Sequence, residues 1–220
     1  MKSLSKKSLP KGLYFITDRS LSKKGVVEDV KAAISGGAKI VQYREKNLTM
    51  KEMVREAKEI SKICKKNKVI FIVNDRVDLA LAVEADGVHL GQDDIDFFDA
   101  RKILGKNKII GISVSSIKEA KRFEKLGADY VSLGPIFATS TKKDAGEPIG
   151  IEAIKEAKKK LKIPFTVIGG INFENLRSVI EAGAESVCMI SAIICDDIEE
   201  KVGKVGRIIN EHANRKSKKQ

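Results

Sequence analysis

"LGADYVSLGP", residues 126–135, decides the fold of this chain. A helical pattern runs into it, stops at Gly127, and gives way within two residues to a short apolar run. Glycine at that point suits a helix C-cap, where the chain needs positive φ. The same phrase recurs as "GGAKIVQYR" (36–44), "EADGVHLGQ" (84–92) and "AGAESVCMIS" (182–191). Each joins the end of a helix, marked by Gly with Ala or Asp, to a strand.

Between these phrases lie more units of the same kind. Apolar runs rich in β-branched residues occupy 13–17, 40–44, 69–74, 87–90, 109–114, 130–134, 165–170 and 186–191. Amphipathic helical patterns follow at 26–35, 49–66, 77–84, 96–104, 116–126, 150–161, 173–182 and 196–209. Strict alternation of strand and helix predicts a parallel sheet with helical crossovers. Eight pairs in 220 residues is the count of a TIM barrel, and the repeated phrase falls before every second strand. Alternate strands fill alternate layers of such a barrel. An open doubly wound sheet is the rival, but no G-x-G-x-x-G follows the first strand. The expectation is an α/β fold with a single (β/α)8 barrel over residues 12–210. Residues 1–11 and 211–220 are expected to be flexible basic ends.

Composition fits that frame. The chain is 42% hydrophobic and 5% aromatic with no Trp, so its core must be built from Ile, Val, Leu and Ala. The net charge of +12 invites a nucleic-acid reading. However, the two ends carry more than half of it and contain no Phe, Tyr or Trp to stack on bases. In the body, Lys alternates with Glu along helix faces, as in "KEMVREAKEISKICKK" (51–66). Cys64, Cys188 and Cys195 fit neither a zinc site nor a C-x-x-C motif, which suggests free thiols in a reducing cytoplasm. No run approaches the roughly 18 apolar residues of a membrane helix. The first residues lack the apolar stretch of a secretion signal.

In a barrel, chemistry gathers where strands end. Strand two ends in Gln42, Arg44 and Lys46, which alternation places on one face. They form either a solvated basic loop or a place for an anion. Strand three ends at Asn74 and Asp75, and strand four is followed by Asp93 and Asp94. Each aspartate could cap the next helix. Asp75 and Asp94 together, beside two cations, could instead hold Mg²⁺ with a diphosphate. His89, inside strand four, reads more readily as a structural histidine than as a general base. Ser113 lies near the tip of strand five. Backbone amides at Gly169 and Gly170, and at Ile190 and Ser191, suit a phosphate cradle beyond strands seven and eight. "ATSTK" (138–142) lies on the rim beside it, while Lys143 and Asp144 read as plain loop. There is no Ser-His-Asp set and no strand-buried lysine for a Schiff base.

In combination, "LYFITDRS", "VQYREK", "NDRVDLA", "GVHLGQDD", "GISVSS", "GADYVSLGPIFATSTK", "IGGI" and "GAESVCMISAI" resemble the thiamine-phosphate synthase family along nearly the whole chain. That resemblance implies a cytoplasmic Mg²⁺-dependent transferase of thiamine biosynthesis. It would join 4-amino-2-methyl-5-(diphosphooxymethyl)pyrimidine to 4-methyl-5-(2-phosphooxyethyl)thiazole, giving thiamine phosphate and diphosphate through a pyrimidine cation. It implies pyrimidine-diphosphate contacts at Gln42, Tyr43, Arg44, Glu45, Lys46, Asn74, Ser113 and Lys142. Of these, Arg44, Lys46, Ser113 and Lys142 would be catalytic. Thiazole-phosphate contacts are implied at Thr139, Ser140, Thr141, Gly169, Gly170, Ile190 and Ser191, and magnesium ligands at Asp75 and Asp94. The alternative is a thiazole tautomerase of the same barrel family. The tautomerase resemblance calls for a histidine where this chain has Ser115, which favours the synthase. The expected partners are the two small substrates, with no nucleic acid and no membrane; the sequence leaves a homo-oligomer open.

Overall fold

The repeated phrase does close into a barrel. A computed structural model describes residues 9–141 and 145–217, so Lys142, Lys143 and Asp144, with residues 1–8 and 218–220, lie outside the described residues. Eight parallel strands follow one another in chain order around a closed sheet. They are β1 (Gly12–Ile16), β2 (Ile40–Tyr43), β3 (Ile70–Asn74), β4 (Gly87–Leu90), β5 (Ile109–Val114), β6 (Tyr130–Leu133), β7 (Phe165–Val167) and β8 (Ser186–Val187). Closure is the pairing of Gly12 with Ser186 and of Leu13 with Val187. The helices between and after them are α1 (Val26–Ser35), α2 (Met50–Asn67), α3 (Val77–Ala82), α4 (Phe97–Leu104), α5 (Ile117–Leu126), α6 (Glu152–Lys160), α7 (Leu176–Glu181) and α8 (Ile198–Ser217).

Local signals account for many of the boundaries. Thr49 and Glu52 cap α2 reciprocally, and Ser116 caps α5. Gly127 ends α5 at φ 92, as its place in the repeated phrase predicts. In the second copy of the phrase, Glu84 takes the left-handed conformation instead, at φ 54. β7 and β8 are shorter than their apolar runs. Residues 168–170 and 188–191 fall outside the strands, although Ile168 and Cys188 still donate to the carbonyls of Leu133 and Val167 at 3.1 and 2.8 Å. At the other end, α8 continues seven residues beyond position 210, so residues 211–217 extend the barrel's last helix. Glu211 pairs there with Arg177 of α7 at 3.5 Å, and His212 Nε2 is buried.

Two apolar layers hold the fold. The outer one lies between strands and helices and includes Phe15, Val41, Ile60, Leu90, Ile110 and Val187. The inner one fills the barrel with Tyr14, Ile16, Ile40, Ile72, Tyr130 and Cys188. Alternation sorts them: Val41 and Tyr43 face the helices while Ile40 and Gln42 face inward. Each fully buried large side chain contributes about 1.5–3 kcal/mol. β5 leaves a gap in the inner layer. A Cβ at Gly111 would lie 2.0 Å from Cζ of Tyr130, so only glycine lets that ring cross the strand.

Candidate active site

A cavity of about 510 Å³ opens at the C-terminal ends of the strands, a volume suited to small-molecule ligands. Its β2–β4 side is charged. Arg44 and Lys46 reach it from the end of β2, with Gln42 below them. Thr17 fixes Arg44 by accepting from its backbone N–H at 2.8 Å and donating to its carbonyl at 3.2 Å. The Arg44 guanidinium lies 3.8 Å from the buried Asp18 carboxylate. Lys46 is ion-paired with Asp75.

Asp75 stands at φ 60, an uncommon conformation for a non-glycine residue, with its N–H bonded to the His89 carbonyl at 2.8 Å. It caps no helix: α3 starts after Arg76 with no side-chain cap. Asp94 caps none either, because Asp96 caps α4. Asp94 instead folds back to accept from the Gly91 N–H at 2.7 Å. Burial and the Asp75 carboxyl beside it raise its pKa above the ordinary carboxylate value. Two acidic side chains are thus held together facing Lys46, which no capping role explains.

Tyr43 and Glu45 do not join them. The strand pleat turns both away from the cavity, where the Tyr43 hydroxyl donates to Glu56 at 2.7 Å and Glu45 pairs with Arg19. Arg19 also pairs with Glu56, so this outer cluster braces the β2 loop from behind. The side chains of Tyr43 and Glu45 are therefore structural supports rather than parts of the cavity wall.

The β6–β8 side has no charged side chain in its wall among the described residues. Thr139, Ser140 and Thr141 line it from the β6 loop, facing Gly169, Gly170, Ile190 and Ser191. That loop lies directly on the two glycines. Ile136 and Phe137 donate to the carbonyls of Ile168 and Gly169 at 2.9 and 3.0 Å. At Gly170, with φ 62, a Cβ would lie 2.4 Å from the Ala138 carbonyl. Asn74, at the end of β3, and Ser113, in β5, also line the cavity.

Strand ends alone do not mark Tyr14 and Tyr130, which lie lower in the barrel. His89 is bonded to both Tyr130 and Ser113. Gln92, also unmarked, donates to the Ser113 carbonyl at 2.7 Å. The available signal was the inward register of two of the chain's three tyrosines. Ser115 turns to Glu119 and stays out of the cavity wall.

Residues 13–193 match the family described as thiamine monophosphate synthase. The chain belongs to that family. A thiamine-phosphate synthase of Methanosarcina barkeri is 56% identical over 87% of this chain and 86% of its own length. One from Clostridium novyi is 50% identical over 84% and 91%. A solved thiamine phosphate pyrophosphorylase from Pyrococcus furiosus superposes with a TM-score of 0.84 at 41% identity, covering 91% of this chain and 96% of its own. These family members carry synthase or pyrophosphorylase names, and the tautomerase alternative finds no support in them.

Proposed function

We propose that the cavity carries out the family's condensation with its two sides divided between the two phosphorylated substrates. The carrying observation is that cationic side chains and a hydroxyl-glycine wall face each other across one space. Arg44, Lys46, Asn74 and Ser113, with Lys142, take the pyrimidine diphosphate, and Gln42 takes its ring. Thr139, Ser140, Thr141, Gly169, Gly170, Ile190 and Ser191 take the thiazole phosphate. The carbon–oxygen bond to diphosphate breaks first, and the aminopyrimidine ring spreads the resulting positive charge. The thiazole nitrogen then supplies the electron pair of the new carbon–nitrogen bond. No protein nucleophile is needed; orientation and stabilisation of the departing anion carry the rate.

Asp75 and Asp94 fit Mg²⁺. Both are hard oxygen donors, the Asp75 carboxyl lies beside that of Asp94, and their number suits an ion that takes its remaining ligands from phosphate and water. When bound there, Mg²⁺ would neutralise charge on the departing diphosphate. Lys46 would then turn from Asp75 towards the anion. The free thiols of Cys64, Cys188 and Cys195 support a reducing cytoplasmic setting, and no helix among the described residues is long and apolar enough to cross a membrane. The test is to supply purified protein with both substrates. Thiamine phosphate should form with Mg²⁺ and disappear with a chelator. Turnover of the thiazole phosphate alone without metal would contradict the reading.

A further inference from the structure

Along the cavity floor, five side chains form one hydrogen-bonded row. Gln42 Nε2 donates to the Tyr14 hydroxyl at 2.9 Å. The Tyr14 and Tyr130 hydroxyls are 2.7 Å apart. Tyr130 OH lies 2.9 Å from His89 Nδ1, and His89 Nε2 lies 2.9 Å from Ser113 Oγ. The Tyr130 ring stacks on His89 with centroids 5.5 Å apart. It reaches across β5 because Gly111 has no side chain, and it is buried outside the cavity wall itself. The other four members, Gln42, Tyr14, His89 and Ser113, all line the cavity.

The row has a direction. A phenol has one proton to give, and burial raises both tyrosines above their ordinary pKa, so each keeps it. The Gln42 amide donates to Tyr14, so for every hydroxyl proton in the row to find an acceptor, Tyr14 donates to Tyr130. Tyr130 must then donate to His89 Nδ1. A ring nitrogen that accepts leaves the proton on Nε2, which donates to Ser113 Oγ. The Ser113 hydroxyl proton is left to point into the cavity. The same orientation is the one an anion above Ser113 would select.

We propose that Tyr130 and His89 are positioning residues that keep the Ser113 hydroxyl a hydrogen-bond donor aimed into the cavity, with the His89 proton on Nε2. The link to catalysis rests on the reading above that the diphosphate binds at Ser113. The direction of the row does not. Through Gln42, the row also ties the end of the cavity that meets the pyrimidine ring to the end that meets its leaving group.

The chain has two histidines, so 15N-histidine labelling gives two ring systems, and His212→Gln assigns them. His89 in the free protein should show an unprotonated Nδ1 and a protonated Nε2. A proton on Nδ1, or on both nitrogens, overturns the proposal. Tyr130→Phe should mix the two His89 tautomers and lower kcat about tenfold, as loss of a supporting outer partner does. KM for either substrate should change by less than about twofold, because no substrate contact is lost. In a Ser113→Ala background the same substitution should cost less than about twofold, the coupling expected of residues that act through one another. Wild-type kcat in Tyr130→Phe, or an equal loss in both backgrounds, overturns the positioning role. If Tyr130→Phe does not fold, Tyr14→Phe breaks the row one bond earlier and should shift the same resonances. A wild-type protein inactive in the condensation would count against the function, while the histidine spectra test the row by themselves.

Discussion

The two sides of the barrel mouth are built in different ways. The β2–β4 side relies on side-chain charge, and its charged groups are held by partners: Arg44 by Thr17 and Asp18, Lys46 by Asp75, Asp94 by Gly91. The β6–β8 side relies on hydroxyls and on backbone made accessible by glycine, with the β6 loop pressed onto Gly169 and Gly170. Charge on the first side can follow a group that changes its charge during reaction. The second side suits an anion that stays unchanged, since fixed neutral donors bind it without adding cationic stabilisation meant for a leaving group.

Substitutions can break this contrast. The largest effect is expected from Asp94→Ala, which should lower kcat/KM on the order of 10³-fold at saturating Mg²⁺ in a thiamine phosphate assay, since it removes one of the two side chains proposed to hold Mg²⁺ against the leaving group. Its thermal midpoint should not fall, because the carboxyl is held above its ordinary pKa by burial and by Asp75. Next is Gly170→Ala. The added Cβ meets the Ala138 carbonyl at a positive φ, so stability should drop by about 1–3 kcal/mol in urea unfolding. KM for the thiazole phosphate should rise more than KM for the diphosphate. Arg19→Met removes the shared partner of Glu45 and Glu56 behind the β2 loop and should cost about 1–3 kcal/mol. Its effect should reach the diphosphate KM and leave the thiazole phosphate KM alone.

The smallest effect serves as a control away from both sides. Asp29 in α1 is buried with Oδ2 unpartnered, and burial raises its pKa. A raised carboxyl pKa means that the folded state holds the proton more tightly than the unfolded one. Stability is therefore kept below the unfolded pKa and lost as pH rises through the folded pKa. Asp29→Asn should raise the thermal midpoint by about 1–3 °C at pH 7, with the gain fading towards pH 4. Both KM values should stay at wild type.

Much of this was legible in the sequence. The eight strand–helix pairs were, because period-2 runs and helix caps are local. Gln42, Arg44, Asn74, Asp75, Ser113 and Gly170 were placed at the mouth by strand ends alone. Tyr43 and Glu45 came in with a contiguous motif, and the strand pleat separates them from their neighbours. The role of Gly170 as a seat for the β6 loop depends on a contact across the mouth that no local pattern carries. The Tyr14–Tyr130–His89 row depends on Gly111 leaving room, which requires the inner layer in three dimensions. The reach of α8 past residue 210 was hidden by the basic composition of the end, which looks like a tail although Ile208 and Ile209 are buried just before it.

The most direct test of a mouth with two anion sides is a crossed pair of steady-state measurements on Lys46→Met and Ser140→Ala. The account predicts that Lys46→Met raises KM for the pyrimidine diphosphate about tenfold and leaves that of the thiazole phosphate unchanged, with Ser140→Ala doing the reverse to a smaller degree. Equal changes in both KM values in both variants would contradict it.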